Sequence, residues 1–298
     1  MKIKEIITNP RHIIFSMGMH GGFKFLSDES YLKLMYWSQF KRRLNLDHPL
    51  TFNEKIQWLK LHNTNPLLST LVDKYEVKEY VSKMIGEEYI IPTIGVWDSF
   101  DDIDFSMLPS QFVLKCTHDS GGLVICKDKE SLDLSAAKAK IDRAKRNNYF
   151  WLGRETPYKK VIPRIIAEPY LEDHRDKELR DYKFFTFNGV VRSLFVASDR
   201  TNPNEETKFD FFDRDYNHLP IINGHPNARI IPHKPDNFER MIELAETLGK
   251  GFPHVRVDFY EVDGKVYFGE LTFSHFSGFI PFEPEEWDFK FGSWLEIE

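Results

Sequence analysis

The chain has 298 residues, of which 41% are hydrophobic and 29% are charged. This composition excludes a disordered or collagen-like chain, and the length allows one large domain or two closely joined ones. The net charge is −6 and the sequence has no strongly basic tract. Both facts argue against general nucleic-acid binding, which requires a surface that neutralises phosphates.

The first 25 residues have a basic start and some apolar residues, but Pro10, Arg11, His12 and His20 interrupt any signal-peptide core. No stretch of the sequence approaches the roughly 18 consecutive apolar residues of a membrane span. We therefore expect a cytoplasmic protein without an integral membrane segment. Peripheral membrane association through this first segment stays open.

Cys116 and Cys126 are the only cysteines. Two cysteines in a chain of this size indicate a reducing compartment and not a disulfide scaffold. Their spacing matches no zinc motif. We expect both to be free, buried thiols.

Residues 1–90 are predicted to be mainly helical. Thr51, followed three residues later by Glu54, is a capping-box signature at the start of the helical stretch TFNEKIQWLKLHN. Residues 71–86 predict a further amphipathic helix, which Gly86 ends.

From Gln111 onward, short runs typical of β-strands dominate, and two predicted helices, 135–147 and 235–251, lie between them. Asn188-Gly189 is a strong hairpin-turn signal. The fold class predicted from this order is α+β, with antiparallel sheets that carry helices. The spacing does not suggest a doubly wound parallel sheet.

The stretch FVLKCTHDSGGLVICK places a loop of small residues between two predicted strands. Backbone N–H groups at Ser120, Gly121 and Gly122 are able to form a nest for an anion, because small residues let a ligand approach closely. Lys115 before the loop and Lys127 after it would neutralise phosphate charge. An ordinary hairpin with exposed lysines is the alternative, and the loop is not a Walker motif.

Two later stretches add polar groups to predicted strands. In RIIAEPYLED, Pro169 ends regular pairing after Glu168, which leaves the following backbone groups free to bond a planar ligand. In RDYKFFTFNG, Asp181 and Lys183 share one face of a strand and Tyr182 takes the other. That polar face either joins the same cleft or is solvated.

The stretch RVDFYEVDGKVYFGELTF predicts a hairpin that turns at Asp263-Gly264. Asp258 and Glu270 lie in its apolar strands, where an unpaired buried carboxylate costs about several kcal/mol. A hard divalent cation, which prefers carboxylate oxygens, would offset that cost. An ion pair of one or both with Arg256 or a nearby lysine would offset it as well, and the hairpin alone leaves both explanations open.

The register of this hairpin provides a test. A two-residue turn pairs Asp258 with Gly269 and sends Glu270 to the opposite face, because side chains alternate along a strand. A joint cation site requires a shift of one residue, and Gly269 suits a β-bulge. We predict a bulge there, which also lets Thr272 share the face of Glu270 and add an oxygen.

The order of these features resembles the ATP-grasp superfamily, in which two α+β subdomains clasp ATP between antiparallel sheets. More narrowly, the chain resembles the TupA-like ATP-grasp family of bacterial teichuronopeptide, capsule and exopolysaccharide biosynthesis proteins. The stretches that carry this resemblance are FNEKIQWLKL, DKYEVKEYV, IIPTIGVW, LPSQFVLKCTHDSGG, PRIIAEPYL, DYKFFTFNG and RVDFYEVDGKVYFGELTF. It implies an ATP-grasp domain 91–298, whose subdomains divide at about residues 167 and 168. The mainly helical region 1–90 before it departs from the superfamily, which usually has an α/β domain there.

The resemblance also implies a role for each candidate residue. Those that would hold ATP are Lys115, Ser120, Gly121, Gly122, Lys127, Glu168, Tyr170, Leu171 and Asp181. Those that would bind Mg²⁺ are Asp258, Glu270 and Thr272, the last at a position where many ATP-grasp enzymes have asparagine. Arg256 would face the reacting phosphoryl group, and Lys183 or Arg192 would serve the substrate or a phosphate.

The predicted activity is ATP-dependent ligation of a carboxylate to an amine in surface-polysaccharide biosynthesis, through an acylphosphate and with an amide as product. This chemistry depends on positioning and charge neutralisation more than on a protein nucleophile. A kinase on the same fold, a glycosyltransferase that uses the Asp213-Arg214-Asp215 stretch, and a nucleotide-binding module without chemistry are the alternatives.

Overall fold

The computed structural model describes residues 10–119, 121–175, 179–200 and 205–297. Its helices are α1 (Pro10–Met19), α2 (Asp28–Phe40), α3 (Phe52–His62), α4 (Leu67–Leu71), α5 (Val77–Ile85), α6 (Leu134–Lys145), α7 (Phe150–Gly153), α8 (Phe238–Gly249) and α9 (Glu286–Trp294). Its strands are β1 (Gly95–Trp97), β2 (Phe112–Cys116), β3 (Leu123–Cys126), β4 (Ile165–Pro169), β5 (Asp181–Phe187), β6 (Val190–Ser198), β7 (Lys208–Asp213), β8 (His218–Leu219), β9 (His254–Val262) and β10 (Lys265–Thr272).

The strands form two antiparallel sheets. The smaller sheet has four strands in the order β1-β4-β2-β3, and the larger has six in the order β10-β9-β5-β6-β7-β8. The predicted α+β plan with antiparallel sheets is confirmed. Asn188 and Gly189 both have positive φ angles, 49° and 76°, as a tight turn between β5 and β6 requires.

Helix α3 begins with the capping box that the sequence predicts. The Thr51 side chain accepts a hydrogen bond from the Glu54 N–H, and the Glu54 carboxylate accepts one from the Thr51 N–H. The helix predicted over residues 71–86 is shorter in the structure and begins at Val77. The reason is local, because the Asp73 carboxylate accepts the N–H groups of Tyr75 and Glu76 and so forms a turn before the helix.

Helices of the N-terminal third cover both faces of the six-stranded sheet. On one face, Val77 and Val81 of α5 join α8 and the sheet in a single apolar cluster that includes Phe184. On the other face, Phe52 and Ile56 of α3 pack with the sheet and with α9. Residues before and after residue 90 therefore share these two apolar clusters.

The smaller sheet packs on α6 through an apolar cluster of its own. Cys116 and Cys126 belong to that cluster, and both are buried free thiols, as expected. In the part of the chain that the structure describes, no helix combines the length and apolar character needed to cross a membrane.

The closing hairpin contains the predicted bulge. Phe268 pairs with Phe259 and Glu270 pairs with Asp258, so the register shifts by one residue at Gly269. Asp263 and Gly264 have φ angles of 51° and 80° at the turn. The bulge places the two carboxylates directly opposite each other on neighbouring strands.

We expect Thr51→Ala to lower the free energy of unfolding by about 1 kcal/mol, because the first turn of α3 loses its side-chain acceptor. Urea unfolding followed by circular dichroism measures this change. Thr51→Ser keeps the hydroxyl and serves as the matched control. Equal losses in both variants would show that the cap is not the source of the effect.

Candidate functional site

The two sheets face each other across a cleft with two connected parts. The outer chamber has a volume of about 510 Å³ and is lined by β2, β3, the segment after β4 and Tyr260 of β9. The inner chamber is smaller, about 130 Å³, and ends at Lys183 and Glu270. The residues common to both are Lys115, Leu123, Glu168, Arg200 and Tyr260. A total of this size suits a small-molecule ligand.

The outer chamber has apolar walls together with six charged residues, Lys115, Lys127, Glu168, Glu172, Asp173 and Arg200. The apolar lining consists of Ile91, Val113, Leu123, Ile125, Pro169, Leu171 and Leu179. Lys127 lies at the rim, with its ammonium 5.4 Å from the centre of the Tyr170 ring. The predicted residues Lys127, Tyr170 and Leu171 therefore meet in one chamber whose walls suit a flat ring.

Glu168 connects the two chambers. It is only 4% exposed, and its carboxylate lies 2.5 Å from the Lys115 ammonium and 2.6 Å from that of Lys78. Burial raises the pKa of Glu168, but the two lysines outweigh burial and lower it. The glutamate is thus ionised at neutral pH and fixes both ammonium groups beside the cleft.

The loop of small residues lies at the inner chamber, and its Ser120 is outside the described residues. The Asp119 carboxylate accepts the Gly122 N–H at 2.9 Å. A Cβ atom at Gly122 would lie 2.6 Å from the Cys116 sulfur and 2.7 Å from the Ala144 Cβ. Close packing therefore requires this glycine, and its N–H is engaged by Asp119. The corresponding Cβ at Gly121 would have space.

Asp258 and Glu270 share one cationic partner at the inner end of the cleft. Asp258 is 1% exposed, and its two oxygens accept hydrogen bonds from the Arg256 Nε and Nη2 at 2.7 Å each. The same Nη2 lies 3.0 Å from Glu270 Oε1 and 2.9 Å from the Thr272 hydroxyl. Lys183 donates a further short hydrogen bond to Asp258.

The cations around Glu270 keep it ionised. Burial raises the pKa of this carboxyl, but Lys74, Lys183 and Arg256 outweigh burial and lower the pKa from its ordinary 4.5 to about 2. The ion pair with Arg256, one of the two explanations that the sequence left open, is therefore present. It does not exclude the other, since Arg256 and a cation would use the same oxygens.

Asp181 and Lys183 lie on one face of β5, as predicted, with the Lys183 ammonium 3.4 Å from the Asp181 carboxylate. Arg200 also forms an ion pair with Asp181. Tyr182 packs in the apolar cluster on the other face. Arg192 is exposed and lies toward the Asn188 turn, and it lines neither chamber. The structure thus brings Lys183 to the cleft and does not bring Arg192 there.

Sequence reasoning missed three residues that line the cleft, Lys74, Arg200 and Tyr260. It also missed Lys78, whose ammonium pairs with Glu168. The sequence did indicate Tyr260, because it is two residues from Asp258 and therefore lies on the same face of the strand. Lys74 and Lys78 are four residues apart in a stretch treated only as helix. Arg200 follows β6, and no sequence pattern predicted that it lies in the cleft.

The donor chemistry at the inner end suits a hard cation. Two carboxylates and the Thr272 hydroxyl supply oxygen atoms, which Mg²⁺ prefers, and an ion of this kind usually completes its shell with substrate phosphates and water. Among the described residues, no group of three or more His, Cys, Asp or Glu side chains is placed to hold a metal. Asp258 and Glu270 would therefore bind such an ion together with a ligand.

We expect the stability difference between wild type and Glu270→Gln to depend on pH. The folded-state pKa of Glu270 is depressed to about 2, so its ionised form stabilises the fold above pH 4.5, and this contribution is lost as pH falls toward 2. Urea unfolding at several pH values measures the difference, which should shrink on acidification. The exposed variant Glu243→Gln is the control, and an equal pH dependence there would contradict the assignment.

The family model described as TupA-like ATPgrasp matches residues 54–296, which is most of the chain. No curated protein matches. Among solved structures, D-alanine–D-alanine ligase from Bacillus anthracis, solved with ATP, is 15% identical, with a TM-score of 0.40 over 69% of this chain and 55% of that one.

Two further structures are similar at the same level. The ATP-grasp ligase PsnB, solved with a minimal precursor variant, Mg and ADP, is 11% identical, with a TM-score of 0.41 over 74% of this chain and 58% of that one. D-alanine–D-alanine ligase from Helicobacter pylori is 12% identical, with a TM-score of 0.44 over 83% and 67%. This chain therefore spans little more than half the length of the first two structures. From the family match and the two facing antiparallel sheets, the chain belongs to the TupA-like ATP-grasp family and has its α+β fold.

Proposed function

We propose that this protein binds Mg²⁺–ATP in the cleft and uses it to join a carboxylate to an amine. The observation that carries the proposal is the pair Asp258 and Glu270, which the bulge places together beside Arg256 at the inner end of the cleft. Adenine would occupy the outer chamber against the backbone from Glu168 to Leu171. The phosphates would extend past Lys115 into the inner chamber.

Charge balance supports a requirement for a divalent cation. Among the described residues, four cations line the inner chamber, namely Lys74, Lys115, Lys183 and Arg200, and four carboxylates do, namely Asp119, Glu168, Asp181 and Glu270. Arg256 and Asp258 behind them add one charge of each sign. Because the side chains carry no excess positive charge, a triphosphate needs its own counterion to bind here.

The residues at the inner end of the cleft would have separate roles in this reaction. Mg²⁺ held by Asp258, Glu270 and Thr272 would neutralise phosphate charge and orient phosphate oxygens. Arg256 and Lys183 would stabilise the charge that develops as the γ-phosphoryl group moves to the substrate carboxylate. The acylphosphate so formed is then attacked by the amine, which gives the amide and releases phosphate.

The substrates are proposed from the family. A uronic-acid unit of a bacterial surface polysaccharide would supply the carboxylate, and an amino acid would supply the amine, in the cytoplasm. The glycosyltransferase alternative lacks support from the geometry. The Asp213 carboxylate accepts the N–H groups of Asp215 and Asn217 and so stabilises a turn, and neither aspartate lines the cleft.

We expect Mg²⁺ plus ATP to raise the thermal unfolding midpoint by a few degrees, since a ligand at about 100 times its Kd adds about 2.7 kcal/mol. The shift should require both Mg²⁺ and Glu270. Glu270→Gln is compared with Asp215→Asn, a matched loss of one carboxylate away from the cleft. A shift seen only with sugar nucleotides, and lost in Asp215→Asn, would overturn the proposal.

Mass spectrometry distinguishes ligation from phosphorylation on the same fold. With Mg²⁺–ATP, a panel of uronic acids and a panel of amino acids, we expect a condensation product whose formation needs both panels. A phosphorylated sugar formed without any amino acid would identify the kinase instead. Asp258→Asn is the control for either product, because it removes a proposed metal ligand.

A further inference from the structure

We propose that His275 is a positioning residue for Arg256, and that Asn223 fixes the tautomer in which His275 does so. This inference rests on the proposed function, in which Arg256 faces the transferred phosphoryl group. His275 follows β10 in a short 3-10 turn, His275–Gly278, and is 2% exposed. Its Nδ1 lies 2.8 Å from the Arg256 Nη1.

The hydrogen bonds of Asn223 determine where the imidazole proton lies. The Asn223 side-chain N–H₂ donates to the backbone carbonyls of Ile280 at 3.2 Å and Pro281 at 3.0 Å. Its oxygen therefore faces His275 Nε2, at 2.8 Å, and accepts the proton there. That assignment leaves a lone pair on Nδ1, which accepts the Arg256 N–H.

The surroundings of the ring maintain this state. Burial lowers the pKa of His275 well below its ordinary value, and the nearby cation Arg256, with smaller effects of His254 and Lys183, lowers it further. The ring of Phe185 meets the imidazole edge to face at 5.0 Å, and Phe276 lies 4.5 Å away. A neutral ring held on two sides presents Nδ1 in one direction.

The nitrogens of the Arg256 guanidinium therefore have two separate sets of partners. Nη1 is held by His275, whereas Nε and Nη2 bind the oxygens of Asp258, Glu270 and Thr272. Those oxygens are the proposed metal ligands, so Arg256 loses these acceptors when a divalent cation takes them. The His275 contact uses none of those oxygens, so it is available to hold Nη1, and thereby to orient Nη2, when those acceptors are lost.

Two substitutions of His275 separate its two contacts. In His275→Asn, the side-chain oxygen takes the place of Nδ1 and still accepts from Arg256. In His275→Gln, the amide reaches the position of Nε2 and keeps only the contact with Asn223. Both variants lose the ring, so a purely structural role predicts similar effects.

The readout is the affinity for Mg²⁺–ADP with and without aluminium fluoride, which imitates a phosphoryl group in transfer. We expect the wild type to bind Mg²⁺–ADP more tightly with aluminium fluoride. His275→Gln should lose about tenfold or more of that gain while its affinity for Mg²⁺–ADP alone stays within about threefold, because only the charge in transfer needs the aligned donor. His275→Asn should keep most of the gain.

Each other outcome is decisive. Failure of the wild type to bind Mg²⁺–ADP would refute the proposed function itself. Binding without any gain from aluminium fluoride, a full gain in His275→Gln, or equal losses in both variants would refute the positioning role alone. If His275→Gln does not fold, ¹⁵N NMR of the wild-type imidazole decides, since an Nδ1–H tautomer or a charged ring at neutral pH would overturn the inference.

Discussion

The register shift at Gly269 determines what the inner end of the cleft contains. With regular pairing, Asp258 would lie opposite Gly269 and Glu270 opposite Val257, a residue whose side chain is in the apolar core. A carboxylate there would have no cation within reach and would be strongly destabilising. The single extra residue instead brings Glu270, and Thr272 on the same face of its strand, to Arg256. The proposed cation site and the contact of Arg256 with Glu270 both depend on that shift.

The positively and negatively charged side chains of the site are equal in number, and this balance has two consequences. Glu168, Asp181, Asp258 and Glu270 each have a cationic partner, which offsets the cost of burying these carboxylates. Under the proposed function a polyphosphate would need these same cations, so its binding would exchange their carboxylate partners for phosphate oxygens. Arg256 is the residue most affected by this exchange, because it contacts two carboxylates at once.

The N-terminal third completes the site and does not merely precede it. The turn before α5 brings Lys74 to the inner chamber, and α5 brings Lys78 to the Glu168 carboxylate. On the other face of the large sheet, Gln57 of α3 donates to the carbonyls of Ser277 and Gly278. Those carbonyls belong to the turn that carries His275. Gly278 has a φ angle of 62°, and a Cβ there would lie 2.5 Å from the Gln57 amide, so the turn and the helix fit only with glycine.

Local sequence determined the features that depend on neighbours in the chain. The capping box of Thr51 and Glu54, the Asn188 turn, the shared face of Asp181 and Lys183, and the bulge at Gly269 all follow from strand alternation or turn chemistry within a few residues. Only the tertiary structure decided which distant segments meet. Lys78 reaches Glu168, Asn223 reaches His275 and Arg200 reaches Asp181, while Arg192 stays outside the cleft. These pairings depend on how two sheets and the N-terminal helices pack, because burial of their apolar faces, and not any short-range pattern, fixes which polar side chains come together.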